Sequence, residues 1–228
     1  MLLDNGWGVY EASQQRATKD ITRNDFTRHM LRLRKLEDFD RSAVVGDGVG
    51  EVILINAHDG TGAYHLKAGY FRFVCSNGMI SGNTMAGFKV LHSINKATSE
   101  EVLGAAERII TGTFPKLLEN VGRFKSLELS RPYQARLAEK GLALRYPNTL
   151  PPYDATNLLA VRREEDEAPT LWNVLNRVQE HVIYGGDETT SRGFGRKSVV
   201  RPVERVSSVV TINGGLWDEA FAIAEELS

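Results

Sequence analysis

The sequence predicts an α+β fold: a mainly antiparallel sheet in the N-terminal part, packed with a long amphipathic helix and followed by C-terminal helices. Three observations predict it. Side chains alternate between residues 26 and 35, a short β-branched run occupies Val52–Ile55, and the apolar period changes from two to that of a helix near residue 98. The chain has 228 residues, 42% hydrophobic and 25% charged, as expected of a globular protein with a buried core. One domain over 1–228 is expected, strand-rich over 1–95 and helix-rich over 96–228.

The elements follow in order. Residues 6–18 carry Trp7, Val9 and Tyr10 and read as a strand. Over 26–35, His29, Leu31 and Leu33 point one way while Arg28, Arg32 and Arg34 point the other, so the strand has one half-apolar and one basic face. Gly46–Gly50 reads as a turn. Val52-Ile-Leu-Ile55 is apolar without alternation, which suits a central strand covered on both faces. His58–Gly62 is a second turn. Residues 64–74 hold Tyr70, Phe71 and Phe73, and their spacing fits a helix or a strand. Ser76-Asn-Gly78 punctuates them, and residues 87–92 read as one more strand.

From Thr98-Ser-Glu-Glu101, a capping box, the stripe Val102, Ala106, Ile109, Thr113 and Leu117 predicts a long helix, which Pro115 kinks or divides. Arg131-Pro132 starts a helix running towards Gly141, with residues 146–152 as an extended connector. The mixed-charge run Arg162–Glu167 reads as a solvated loop. Leu171, Val174, Leu175, Val178, Val182 and Ile183 form another helical stripe, stopped at Gly185-Gly186, with Trp172 at its edge. Residues 187–206 have few apolar anchors and are expected to form a mobile loop. Asn213-Gly-Gly215 is expected to precede the last helix, which buries Leu216, Trp217, Ala220, Phe221 and Ala224.

Net charge is -1 and pI about 6.5, so any nucleic-acid site must be a local patch. Two features could form one: the row Arg28, Arg32, Arg34 and Lys35, and the stretch Arg192, Arg196, Lys197, Arg201 and Arg205. Arginines alternating along a strand repeat at roughly 6.5–7 Å, near the phosphate spacing of an extended single strand. Tyr10, Tyr64 or Tyr70 could stack bases. The plainer alternative is a solubilising surface or salt bridges to carboxylates.

Cys75 is the only cysteine, which excludes an intrachain disulfide and an all-thiolate zinc site within one chain. His29, His58, His65, His92 and His181 show no ligand spacing, and neither a metal nor a cofactor is expected. His58 and Asp59 could act as an acid/base pair, but such residues at a strand end more often organise the turn. Cys75 lacks a nucleophile-elbow context and reads as a core residue. Phosphate-loop, dinucleotide, kinase and protease motifs are absent from the sequence, so a non-enzymatic protein is favoured. No stretch approaches the roughly 18 apolar residues of a membrane span. The opening residues also lack a leader pattern, and a cytoplasmic protein is expected.

Five stretches together resemble a known group: Arg28-His-Met-Leu-Arg-Leu-Arg34, Ile53-Leu-Ile-Asn-Ala-His-Asp-Gly-Thr61, Ala68-Gly-Tyr-Phe-Arg-Phe-Val-Cys-Ser-Asn-Gly78, Leu171-Trp-Asn-Val-Leu-Asn-Arg-Val-Gln-Glu180 and Asn213-Gly-Gly-Leu-Trp217. They are similar to the domain-of-unknown-function 932 family, the phage/plasmid-like proteins of prophages and conjugative plasmids. The resemblance covers nearly the whole chain. It implies a mobile-genetic-element setting and no agreed activity; roles in DNA recombination or in defeating host defences are what such a setting suggests. The amino-terminal extension of many members is expected to be missing here. Strands followed by a long helix are also the order of phage single-strand annealing proteins, a likeness at fold level alone.

Two functions are therefore expected as alternatives. One is a protein that binds DNA, single-stranded above all, in recombination or replication, with Arg28, Arg32 and Arg34 facing the Arg192–Arg205 stretch. The other is an anti-defence protein that binds and inhibits a host restriction or CRISPR complex. Either could work as a homo-oligomer. A hydrolase built on His58, Asp59 and Cys75 is a distant third.

Overall fold

The computed structural model describes residues 6–14, 27–36, 48–57, 64–72, 78–80, 88–90, 104, 107–190 and 197–228. The architecture is α+β, with an antiparallel sheet in the N-terminal part and helices in the C-terminal part. The chain divides into two compact units, Met1–Glu119 and Asn120–Ser228. The boundary between these units falls within a helix, Phe114–Ser126.

In the first unit, strands β1 (Trp7–Gln14), β2 (His29–Lys35), β3 (Gly48–Asn56), β4 (Tyr64–Arg72) and β5 (Gly78–Ile80) lie side by side in that order, and β6 (Phe88–Val90) shares the outer edge of β4 with β5. Every pairing is antiparallel. The Val52–Ile55 run lies on β3 in the middle of the sheet, with Val52 and Ile53 fully buried. The turn expected at Gly46–Gly50 is corrected in part: Gly48–Gly50 is already strand, because the β3–β4 ladder pairs Gly48 with Arg72 and Gly50 with Tyr70. That ladder also resolves Tyr64–Arg72 of the aromatic stretch as a strand, and Phe73 lies outside the described residues.

In β1 the register shifts between Val9 and Glu11, leaving Tyr10 as an extra residue. Such a bulge bends the strand and re-aims a side chain. Here the Tyr10 ring lies beneath two arginines of β2, with its centroid 3.4 Å from the Arg34 guanidinium carbon and 5.6 Å from that of Arg32.

The helix expected around Pro115 is divided into a π-wound turn, Ile109–Thr113, and helix α1, Phe114–Ser126. Pro115 thus follows directly on the π-wound turn, a local widening of the kind found where a helix takes up a proline. Ile109, Thr113 and Leu117 are buried, as their stripe requires. The capping box at Thr98–Glu101 lies outside the described residues.

The second unit is built on three helices that pack pairwise: α2 (Arg131–Arg145), α3 (Leu171–Tyr184) and α4 (Val206–Glu226). From Leu171 to Ile183, α3 is buried at every residue except Asn173, so it forms the axis of this core instead of showing the core a single stripe. Thr170 caps it by accepting from the Asn173 amide at 3.2 Å. Trp172, expected at the stripe's edge, is 2% exposed. Gly185 ends the helix at φ +67°, a left-handed conformation that glycine adopts without strain.

Because α3 is enclosed, its polar side chains need internal partners, and some come from residues 162–167, where Arg162, Glu164, Glu165 and Glu167 are exposed as the solvated reading expects while Arg163 is half-buried and Asp166 buried. Arg163 pairs with Glu180 at 2.9 Å, and Arg162 donates to the Gly185 carbonyl at 2.8 Å and to Asp187 at 2.9 Å. Asp166 is buried, and its carbonyl accepts from Arg177 Nε at 2.7 Å. Burial pulls the Arg177 guanidinium below the usual arginine range. The last helix also differs: α4 starts at Val206 and runs through Asn213-Gly-Gly215. Asn213 is held inside it, donating to the Val209 carbonyl at 3.0 Å and accepting from Gln179 at 2.5 Å.

Candidate functional site

The two basic features of the sequence have different fates. Arg32 and Arg34 do share one face of β2, as alternation requires, but that face is not open: they are 5% and 3% exposed. Fully buried Glu51 on β3 lies between them. Arg32 grips it with two donors, Nε to Oε2 at 2.6 Å and Nη2 to Oε1 at 2.9 Å, and Arg34 Nε donates to the same carboxylate. Arg32 also pairs with Glu11 of β1. A phosphate would have to displace the buried carboxylate, so this correction removes Arg32 and Arg34 from the set of groups presented to a ligand. Arg28 is half-buried just ahead of β2, and Lys35 ends it with its ammonium 5.5 Å from the Trp7 ring.

The described residues of the second feature include hydrogen-bonded strand, where a mobile loop was expected. Strands β7 (Glu188–Thr190) and β8 (Lys197–Val199) form a hairpin, and Lys197 pairs with Thr190. Arg192 and Arg196 lie outside the described residues, as do His58, Asp59 and Cys75. After β8 the chain forms a strap that returns along the end of α3. Gly186 N donates to the Val200 carbonyl at 2.9 Å, Val200 N to the Asp187 carbonyl at 2.9 Å, and Val203 N to the Ile183 carbonyl at 2.7 Å.

Between this strap, the end of α2 and the start of α4 is an open pocket of about 600 Å³. Its lining residues include three arginines, Arg145, Arg201 and Arg205, against one acidic residue, Glu204. Ser207, Ser208 and Thr211 add hydroxyls from the first turns of α4, and Arg205, which precedes that helix, supplies no side-chain cap. Backbone N–H groups at a helix start favour negative charge. Leu144, Pro147 and Pro202 supply apolar wall. The pocket is therefore a positive concavity on a chain of net charge -1.

Arg201 and Arg205, two cations that the sequence singled out, line this pocket together with Arg145, which the sequence reading missed. The signal it offered was a cation in the last turn of a helix, and the expected helix stopped four residues short of it. Glu51 was also missed, because one charged residue ahead of an apolar run reads as a strand boundary.

Of the histidines, His181 is 2% exposed, and both its ring nitrogens face acceptors, Asp187 Oδ1 at 2.6 Å and the Ala160 carbonyl at 3.0 Å. It ties loop ends to α3. Among the described residues, no group of three or more histidine, cysteine or acidic side chains is placed to hold a metal, and no helix is long and apolar enough to cross a membrane.

The family model described as "Domain of unknown function (DUF932)" matches residues 2–217. Two curated relatives from Escherichia coli (strain K12) are similar over 222 residues, 97% of this chain and 78% of each relative: UPF0380 protein YafZ at 34% identity and UPF0380 protein YfjQ at 33%. No solved structure matches the chain.

Proposed function

Since the chain belongs to the domain-of-unknown-function 932 family, whose description names no activity, we propose from its chemistry that it is a non-enzymatic DNA-binding protein of mobile elements, acting on single strands in recombination or replication. The observation that carries this reading is the meeting of Arg201 and Arg205 in one pocket at the start of α4, with Arg145 beside them in its lining. Guanidinium groups suit phosphate through forked N–H donors, and a volume of about 600 Å³ leaves room for a phosphate and its sugar.

The test is fluorescence anisotropy of a labelled single-stranded oligonucleotide with the full chain across a salt series. Each neutralised phosphate contributes about 0.7 to the logarithmic salt slope on single strands. Binding at low salt is expected, with Arg201→Ala and Arg205→Ala each weakening it and flattening that slope by about one contact. Absence of binding to any single or double strand at low salt would overturn the reading.

A second reading, an anti-defence protein that docks on a host restriction or CRISPR complex, is favoured by a different observation. Val161, Tyr184 and Val199 are 47%, 40% and 61% exposed. They sit on segments held together by the Arg162–Gly185 and Gly186–Val200 hydrogen bonds. If that apolar surface carries the function, Tyr184→Ser abolishes protection of a phage or plasmid challenged by a panel of defence systems while leaving DNA affinity unchanged.

A further inference from the structure

We infer that Arg145 is a positioning residue for Arg201, and not itself a phosphate contact. The inference deepens the phosphate-binding reading and rests on it for its functional meaning. Arg145 ends α2 and directs two donors at backbone carbonyls: Nη1 to Val182 at 2.7 Å and Nη2 to Arg201 at 2.6 Å.

The first of these carbonyls lies in the last turn of α3, where helix geometry leaves four oxygens without intrahelical partners. His181 O is taken by Gly185 N and Ile183 O by Val203 N, so the Arg145 guanidinium supplies the partner for the oxygen between them. The second carbonyl sits within the strap, between Val200, held on both its N–H and its carbonyl, and Val203, held on its N–H. Pro202 fixes its own φ in the same stretch. The carbonyl that Arg145 grips sets the orientation of the Arg201–Pro202 peptide, and with it the backbone from which the Arg201 side chain departs. Removing the fork would leave Arg201 charged and present but no longer aimed.

This arrangement separates positioning from charge. Arg145→Lys keeps the positive charge but replaces the planar fork by a single ammonium. If Arg145 met phosphate as a point charge, the lysine variant would retain the wild-type salt slope. If it positions Arg201, the lysine variant loses the Arg201 contact, and a double variant with Arg201→Ala binds no more weakly than Arg201→Ala alone. Such non-additivity distinguishes coupled residues from independent ones.

The experiment measures salt-dependent anisotropy for the wild type, Arg145→Lys, Arg201→Ala and the double variant, with amide hydrogen exchange at Val203 followed in the same proteins without DNA. The expected result is a several-fold affinity loss in Arg145→Lys with a slope matching Arg201→Ala, no further loss in the double variant, and at least tenfold faster exchange at Val203 in Arg145→Lys. Additive losses, or unchanged exchange at Val203, overturn the inference. If the wild type binds no strand, the phosphate reading fails while the exchange rates still decide whether Arg145 orders the strap. Should Arg145→Lys be unfolded, Pro202→Gly, which loosens the strap from the exposed side, is expected to show the same non-additivity with Arg201→Ala, and additivity there overturns the inference equally.

Discussion

Glu51 has no contact with water, and two arginines converge on it, so its charge is what allows both to be buried. Breaking a buried pair by removing one partner costs about 3–5 kcal/mol, because the remaining charge stays desolvated. Glu51→Gln takes from the two guanidinium groups the buried carboxylate they share, while Glu11, which pairs with Arg32, has a side chain 51% exposed. Urea unfolding is expected to show a loss of that size for Glu51→Gln, against less than about 1 kcal/mol for Glu11→Gln, in line with exposed pairs. Equal losses for the two variants would mean that the buried carboxylate does not organise the cluster. The same cluster shows why part of the candidate site was illegible in the sequence. Alternation correctly put Arg32 and Arg34 on one face, but exposure depends on which residue the next strand sets opposite them, a tertiary fact that no local pattern contains.

The helical elements were legible to the extent that apolar spacing or a chain-breaking residue marks them. The stripe from Leu171 and the stop at Gly185 gave α3, and Pro132 gave the start of α2. The start of α4 was not legible, since Asn213-Gly-Gly215 has the composition of a turn and only packing against α2 and α3 makes it helical. Close packing leads to a testable contrast between two helical glycines. A Cβ on Gly141 of α2 would lie 2.5 Å from Val178 Cγ1, and Val178 is fully buried on α3. Valine is stiff at χ1 and cannot turn aside. On α1, a Cβ on Gly122 would meet nothing within 4 Å. Alanine is a better helix former than glycine by roughly 1 kcal/mol, so Gly122→Ala should raise the thermal midpoint. Overpacking costs about 1–3 kcal/mol, so Gly141→Ala should lower it despite the same gain in propensity. Shifts of the same sign would show that the α2–α3 contact yields easily.

At the scale of the whole chain, a net charge of -1 gives no general attraction to nucleic acid, so any DNA affinity must come from a localised group of cations. In the pocket that group belongs to one unit: Arg145, Arg201 and Arg205 all lie within Asn120–Ser228. The hydrogen bonds that hold the strap start and end in that unit as well. It also has a core of its own, with Phe124, Leu137, Leu158, Leu171, Leu175 and Trp217 all fully buried and the Phe124 and Trp217 rings 5.2 Å apart. A piece of about 110 residues is within the size at which a single core sustains folding. Because the unit boundary cuts α1, a fragment should begin at Phe114 so that the helix carrying Val121 and Phe124 remains whole. Residues 114–228 are therefore expected to give a helical circular-dichroism spectrum and one cooperative thermal transition. They should also bind the labelled single strand with the salt slope of the full chain. A folded fragment with a shallower slope would assign phosphate contacts to the sheet unit, where Arg28 and Lys35 are the first cations to test, whereas a fragment that melts without a transition would show that the helical unit does not fold without the residues ahead of it.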